Sequence, residues 1–363
     1  MADTLYFSRD TKVYIKIGSD IWEMPVLDGF SFSQATNASE ITLNEMSDTA
    51  GNSRRGRQMF TDSYAPAEWS FSTYARPFKS GGSGAGAADD TANNHHAVEE
   101  VLWALMVGDA AYSSYSFTGF TADTTDLDIV FTNSNKTTLG TCDIFFVMGG
   151  AGAGTKTTYK IANCCVNEAS VDFDIDGIAT INWSGMGTII TEDAEPTATV
   201  YEAITSTGNF IRNRLTSLAI SSTSPTSTTY DLVLTGGNIT ISNNMTFLTP
   251  ETLGVVNQPL GHVTGTRSVS GSFTCYLNAE SNSSADLFEN IIEGTTTITN
   301  NFDLNFKVGG ASGTPRIEMA MADCHLEVPA HSIDDVISIE TNFHALPSTI
   351  DGTDELTIKY VGA

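Results

Sequence analysis

The chain of 363 residues is long enough to bury two separate cores, and 40% apolar with 17% charged residues is the balance of a globular protein rather than a disordered one. Its formal net charge of −26 is divided between the halves, −15 over residues 1–195 and −11 over residues 196–363, which excludes both a single acidic tail and a protein that grips nucleic acid by neutralising phosphates. No apolar run approaches the roughly 20 residues that span a bilayer, the opening Met1-Ala-Asp-Thr-Leu-Tyr-Phe-Ser-Arg9 does not have the pattern of a signal peptide, and five irregularly spaced cysteines fit buried thiols in a reducing compartment rather than a disulfide framework.

Strand signals dominate the chain from its start. Val13-Tyr-Ile15-Lys-Ile17, Phe30-Ser-Phe32 and Trp69-Ser-Phe71-Ser-Thr73 alternate with period two. Between the last two lies a long polar stretch, Glu40 to Pro66, expected to be a loop; it carries the densest basic spot, Arg54, Arg55 and Arg57, followed by Met59 and Phe60. Gly81 to Ala88 reads as a flexible glycine-rich insertion. His96 to Met106 places apolar residues at helical spacing and stops at Gly108. Val171-Asp-Phe173-Asp-Ile175 alternates again: Val171, Phe173 and Ile175 are expected to face a core, with Asp172, Asp174 and Asp176 on the opposite face. Thr191 to Thr207 reads as a junction. Beyond it come Ile239-Thr-Ile241, a second polar loop from Phe247 to Ser270, and a helix from Ser283-Ser-Ala-Asp286 to Gly294, with a serine cap and an acid at its positive end. An acidic strand around Ser332 to Glu340, with Asp334, Asp335 and Glu340, and Leu356-Thr-Ile358-Lys-Tyr360 close the chain.

This order occurs twice. Asp143-Ile-Phe-Phe-Val-Met-Gly-Gly150 returns as Asp303-Leu-Asn-Phe-Lys-Val-Gly-Gly310, and Ala162-Asn-Cys164 as Ala322-Asp-Cys324, both at an offset of 160 residues with no gap. Phe71-Ser-Thr-Tyr74 answers Phe273-Thr-Cys-Tyr276, and the two helices answer each other at larger offsets, so the first copy carries the longer insertions. A period this long is not that of a solenoid. The expectation is a mainly β protein of two tandem β-sandwich or partial-barrel domains, residues 1–195 and 196–363, each with one α-helix.

Motifs that would carry chemistry fail on detail. Gly149 to Thr157 resembles a phosphate-binding loop, but Thr155 interrupts the Gly-Lys pair and a strand, not a helix, follows. Asp172-Phe-Asp174-Ile-Asp176-Gly177 opens like a calcium loop, but its twelfth position is Trp183 instead of a glutamate. The histidines form no HExxH pattern, and no Gly-x-Ser-x-Gly elbow is present. No catalytic residue, metal site or cofactor is expected.

The opening Trp22-Glu-Met-Pro-Val-Leu-Asp-Gly29-Phe-Ser-Phe32, the run to Phe71-Ser-Thr-Tyr-Ala-Arg-Pro77, and the doubled helix and Gly-Gly hairpin resemble the tail tube, or major tail, proteins of long-tailed bacteriophages, in their duplicated-domain subgroup. The resemblance covers nearly the whole chain. It implies a structural, non-enzymatic virion protein, made and assembled in the host cytoplasm, whose sheets join edge to edge around a bore. It further implies homotrimeric, pseudo-hexameric rings stacked into a tube that DNA crosses during ejection without specific binding. The partners it implies are the chain itself and the tape measure, terminator and baseplate or tip proteins. On this reading Arg54, Arg55, Arg57, Met59 and Phe60 contact a neighbouring ring or subunit, and Asp172, Asp174, Asp176, Asp334, Asp335 and Glu340 face the lumen. The competing expectation is a two-domain β-sandwich that decorates a surface or adheres to one.

Overall fold

The computed structural model describes residues 6–41, 49–51, 58–132, 139–150, 156–200, 209–222, 227–293, 302–310, 315–333 and 335–362. In chain order the first half contributes β1 (Tyr6–Ile17), β2 (Asp20–Met24), β3 (Ser31–Glu40), β4 (Met59–Tyr74), α1 (Glu100–Val107), β5 (Phe120–Ala122), β6 (Leu127–Val130), β7 (Cys142–Gly150), β8 (Thr157–Asp174), β9 (Thr180–Gly187) and β10 (Ile190–Glu192). The second half contributes β11 (Ser217–Ser222), β12 (Thr228–Asp231), β13 (Leu234–Ser242), β14 (Ser268–Tyr276), α2 (Ser284–Glu293), β15 (Phe302–Val308), β16 (Arg316–Leu326), β17 (Ala330–Ile333), β18 (Ile337–Ala345) and β19 (Thr357–Val361). The molecule is mainly β, as its alternating sequence predicts.

One long antiparallel sheet runs through both halves in the order β3-β4-β9-β8-β13-β14-β18-β17. The halves meet at β8 and β13, where residues 168–174 pair with residues 236–242. Behind this sheet lie two outer layers. The N-terminal part of β8 carries β7, β1 and β2 on one side and β10 on the other. The N-terminal part of β16 likewise carries β15, β11 and β12 on one side and β19 on the other. The first half then reaches across the molecule: β6 pairs with β19, and β5 with β6, extending the outer layer of the second half.

The core fills the space between the long sheet and the outer layers. Phe306 is surrounded by Phe173, Phe343 and Phe273 at ring distances of 5.2, 5.5 and 6.5 Å. In the first half Trp69 stands opposite Gly185, and in the second half Gly271 stands opposite Phe343, so each sheet has one large ring lying over one glycine, with the partners exchanged between strands. The close approach is real at both places. A Cβ on Gly185 would lie 2.0 Å from the Cys165 carbonyl oxygen and 2.5 Å from the Trp69 ring, and one on Gly271 would lie 2.0 Å from the Asn238 carbonyl oxygen.

Helix α1 is buried along all eight residues. Trp103 packs edge-on against Trp183 at 4.8 Å, and its indole N–H donates to Tyr360 Oη at 2.7 Å, tying the helix of the first half to the last strand of the second. The Asn243 amide donates to the Met106 carbonyl at the helix end. At the other end sits a buried ionic cluster. His96 lies between Glu100 and Asp90, at 2.8 and 3.1 Å, and the Glu99 carboxylate accepts the Arg76 backbone N–H at 3.1 Å. Burial pushes the Glu99 carboxyl up to about 7, against the opposing pull of Tyr360 and Arg76.

Several sequence expectations need correction. Part of the expected loop from Glu40 to Pro66 is strand: β3 continues to Glu40 and β4 begins at Met59, pairing Glu40 with Met59 and Asn37 with Ser63, while residues 42–48 and 52–57 lie outside the described residues. Both faces of this β3–β4 arm are wet, so no apolar alternation marks it. The second expected loop, Phe247 to Ser270, contains a short strand pair, Thr246–Leu248 with Gly261–Val263, and β14 begins at Ser268. The first helix starts at Glu100 instead of His96, because His95–Ala97 forms a short pair with Pro77–Lys79. Strand β8 ends at Asp174, so Ile175 is 49% exposed instead of core, and Asp176 leaves the strand to meet Arg214 at 3.6 Å. The five cysteines are free and buried, as expected.

Two outcomes check this packing. Glu99 holds its proton more tightly folded than unfolded, so stability at this group falls as pH rises from the ordinary carboxylate range through about 7. Glu99→Gln keeps an acceptor for Arg76 and is expected to lose less melting temperature than the parent between about pH 5 and 8, measured by thermal unfolding at each pH. Gly271→Ala, forced against the Asn238 carbonyl, is expected to cost about 1–3 kcal/mol in chemical denaturation.

Candidate functional site: a polar sheet face between free edges

From the second half of β4 across to β18, alternate residues of the long sheet face the core, and those between them form one continuous polar face. Its cross-strand rows follow from the register. One runs Tyr74, Thr180, Asp172, Asn238, Ser272, Asn342, and the next Ser72, Asn182, Ser170, Thr240, Ser270, His344. A third runs Ser31, Ser70, Ser184, Glu168, Ser242, Ser268, and a fourth brings Asp174, Gly236, Thr274, Glu340 and Ala330 into line. Glu68 lies beside Ser33 at the rim. Hydroxyl and amide groups bond laterally: Ser31 to Ser70 at 2.8 Å, Ser72 to Asn182 at 2.6 Å, and Asn182 to Asp172 at 3.0 Å.

The charge on this face has one sign. Glu68, Glu168, Asp172, Asp174 and Glu340 are exposed on it, and no lysine or arginine stands in any of these rows. The bases of the described strands are concentrated on the outer layers instead, where they have acidic partners. Lys12 meets Glu23 at 3.0 Å, Lys160 meets Asp193 at 3.0 Å, Arg316 meets Glu318 at 2.5 Å, and Lys359 meets Asp128 at 2.7 Å. The Glu23 contact raises the Lys12 pKa, and the Asp128 contact does the same for Lys359. Among the described residues this segregation leaves an anionic surface with no lysine or arginine in its rows to hold a phosphate.

Of the expected acidic residues, the sheet brings Asp172, Asp174 and Glu340 onto this face. Asp176 lies beyond the strand end, Asp335 is exposed in the bend before β18, and Asp334 lies outside the described residues. Glu168 and Glu68 belong to the face although the sequence pattern does not single them out. Glu168 follows a bulge between Val166 and Glu168, which breaks the alternation that would have exposed it.

The sheet ends on two unsatisfied edges. Among the described residues β3 pairs only with β4, and β17 only with β18. In the arm of β3 and β4, Met59 is 60% and Phe60 57% exposed, at the last rungs of the strand pair. Arg54, Arg55 and Arg57 lie outside the described residues. The arm's base is braced by the second half: Tyr64 N–H donates to the Asn257 carbonyl at 2.9 Å and Asn257 N–H to the Asp62 carbonyl at 3.1 Å. Among the described residues no group of three His, Cys, Asp or Glu side chains forms a metal cluster.

A family model described as phage tail tube protein matches residues 27–345. The tail tube protein pb6 of Escherichia phage T5 is 31% identical over 367 residues, covering 97% of this chain and 75% of that protein.

Proposed function

The chain belongs to the phage tail tube protein family, whose members build the tube of the virion tail, and from that premise we propose that three copies close a pseudo-hexameric ring, that rings stack into a hollow tube, and that DNA passes through it during ejection facing the acidic sheet surface. The observation that carries this reading is the long sheet itself, four strands from each half in one run with both ends open. Three such sheets supply about 24 strands at ~4.8 Å, a circumference of about 115 Å and a backbone diameter of roughly 37 Å before strand tilt widens it. That bore admits one duplex after side chains.

The pseudo-sixfold proposal requires that residues 1–195 and 196–363 be copies of one domain. Matching strand pairings support it. Cys165 pairs with Met186 as His325 pairs with His344, and Ser170 pairs with Asn182 as Ala330 pairs with Glu340, so the same offsets of 160 and 158 residues hold along both strands. The exchange of Trp69 and Gly185 for Gly271 and Phe343 is what two diverging copies of one packed site produce. Two domains per chain then supply six ring positions from three chains.

DNA transport calls for low friction and not affinity. A wall of serine, threonine, asparagine and carboxylate side chains repels the phosphates evenly, whereas the paired cations of the outer layers lie away from it. The exposure of Met59 and Phe60 supports a contact of the β3–β4 arm with a neighbouring ring or subunit, a contact to which Arg54, Arg55 and Arg57 would add charge. The tape measure, terminator and baseplate or tip proteins would bind at the ends of such a tube.

Purified protein is expected to form rings or tubes in the electron microscope, and native mass measurement of single rings to give three chains. A ring of six chains removes the pseudo-sixfold reading. For the bore, Asp172→Cys in assembled tubes is expected to react with a small maleimide but not with one carrying a long polyethylene glycol chain, while Glu192→Cys on the outer layer reacts with both. Equal reaction of Asp172→Cys with the bulky reagent would place the acidic face outside.

A further inference from the structure

The two ends of the long sheet correspond to the two sides of the junction already made inside the chain, and the internal junction fixes how they meet. We propose that β17 of one copy pairs antiparallel with β3 of a second copy in the register of the internal β8–β13 seam, with Ala330 opposite Ser33, His331 opposite Phe32, Ser332 opposite Ser31 and Ile333 opposite Phe30. The proposal rests on the ring reading above and adds the residues that join its subunits.

The register follows in two steps. On one side, Ser170 with Asn182 and Ala330 with Glu340 make residues 330–333 the counterpart of residues 170–173. On the other side, Trp69 pairs with Gly185 and Phe32, while Gly271 pairs with Phe343 and Ile239, which makes Phe32 the counterpart of Ile239. Inside the chain Val171 stands opposite Ile239, Ser170 opposite Thr240, Asp172 opposite Asn238 and Phe173 opposite Gly237. Substituting counterparts gives the four pairs between copies.

Side-chain chemistry supports the same register independently. At the internal seam Phe173 reaches across to Phe306, passing over Gly237, where an added Cβ would lie 2.8 Å from its ring. The counterpart of Phe306 is Phe146, already covered from its own half by Phe30 at 5.5 Å and Phe32 at 4.5 Å. The incoming strand therefore has no room for a second ring and carries Ile333 where β8 carries Phe173. Ile333 is 79% exposed in the free chain, and the proposed pairing sets it against Phe30 on the core side. On the polar side the same register sets serine against serine, Ser332 against Ser31. A slip of one residue would turn Ile333 onto the acidic face.

The helices differ in the way a closed and an open junction should. Trp103 and Met106 of α1 are buried under the second half, and their counterparts in α2, Glu289 and Ile292, are exposed. The uncovered side of α2 awaits the neighbouring copy, as α1 is covered by its own chain.

Disulfide trapping tests the register. The native cysteines are buried, and burial pushes Cys165, Cys275 and Cys324 up to about 12, so they compete little with introduced surface thiols. Mild oxidation of assembled Ser33→Cys/Ala330→Cys or Ser31→Cys/Ser332→Cys protein is expected to give covalent chains of two and three copies on a non-reducing gel. Ser33→Cys/Ser332→Cys, two residues out of register, is expected to cross-link about tenfold less, its Cα atoms lying beyond disulfide reach. Rings or tubes in which the out-of-register pair cross-links as well as the in-register pairs, or in which neither in-register pair does, overturn the proposed seam while leaving the ring standing. Folded protein that forms no ring at all overturns both.

Discussion

An unpaired strand edge is the constraint on which the rest of this structure depends. Backbone N–H and C=O groups along an edge either find partners, are covered, or invite another chain. Inside the molecule the problem is solved once, where β8 meets β13 and one sheet becomes continuous across two halves. At its ends, among the described residues, no further strand pairs, and Ile333 stands exposed on the β17 edge. A soluble monomer would blunt such an edge with charge or a bulge along the strand. Here residues 330–333, Ala-His-Ser-Ile, carry no formal charge at neutral pH, which suits an edge meant to be paired.

The two faces of the long sheet divide the labour. The core face is specific in volume: Trp69 lies over Gly185 and Phe343 over Gly271, where an added methyl group meets backbone. The opposite face is unspecific, a lawn of short hydroxyl and amide groups with acids interspersed and cations kept to the outer layers. Volume complementarity holds the β8–β13 junction in a single register, and that register decides which residues form the acidic face. A one-residue error would bury carboxylates and expose aromatic side chains, so the acidic face and the packed core are set by the same alternation.

Much of this was legible in the sequence, for identifiable reasons. The gapless offset between Asp143 and Asp303 covers β7 and the first part of β8, where no insertion interrupts either half. The strand pairs that turn near Gly149 and Gly309 fall in that stretch, while helical spacing marked both helices and period-two alternation put Asp172 and Asp174 opposite the core. Alternation is silent where both faces are wet, which hid the arm from Met59 to Pro66, and it breaks at a bulge, which hid Glu168. Asp176 and Ile175 were read onto a strand that stops one residue earlier. Nor does any local pattern reveal that Leu127 and Ile129 pair with Tyr360 and Ile358, because the partner strand lies more than 200 residues away in the chain. The helix start was displaced by the His95–Ala97 pairing, a tertiary contact that propensity does not register.

The measurement that tests the central claim most directly is a high-resolution density map of the assembled tube. The account requires a continuous antiparallel wall of about 24 strands per ring, eight from each of three chains, with Glu168, Asp172, Asp174 and Glu340 lining the bore. A map in which the eight-stranded sheets remain separate, or in which their acidic faces point away from the axis, would contradict it.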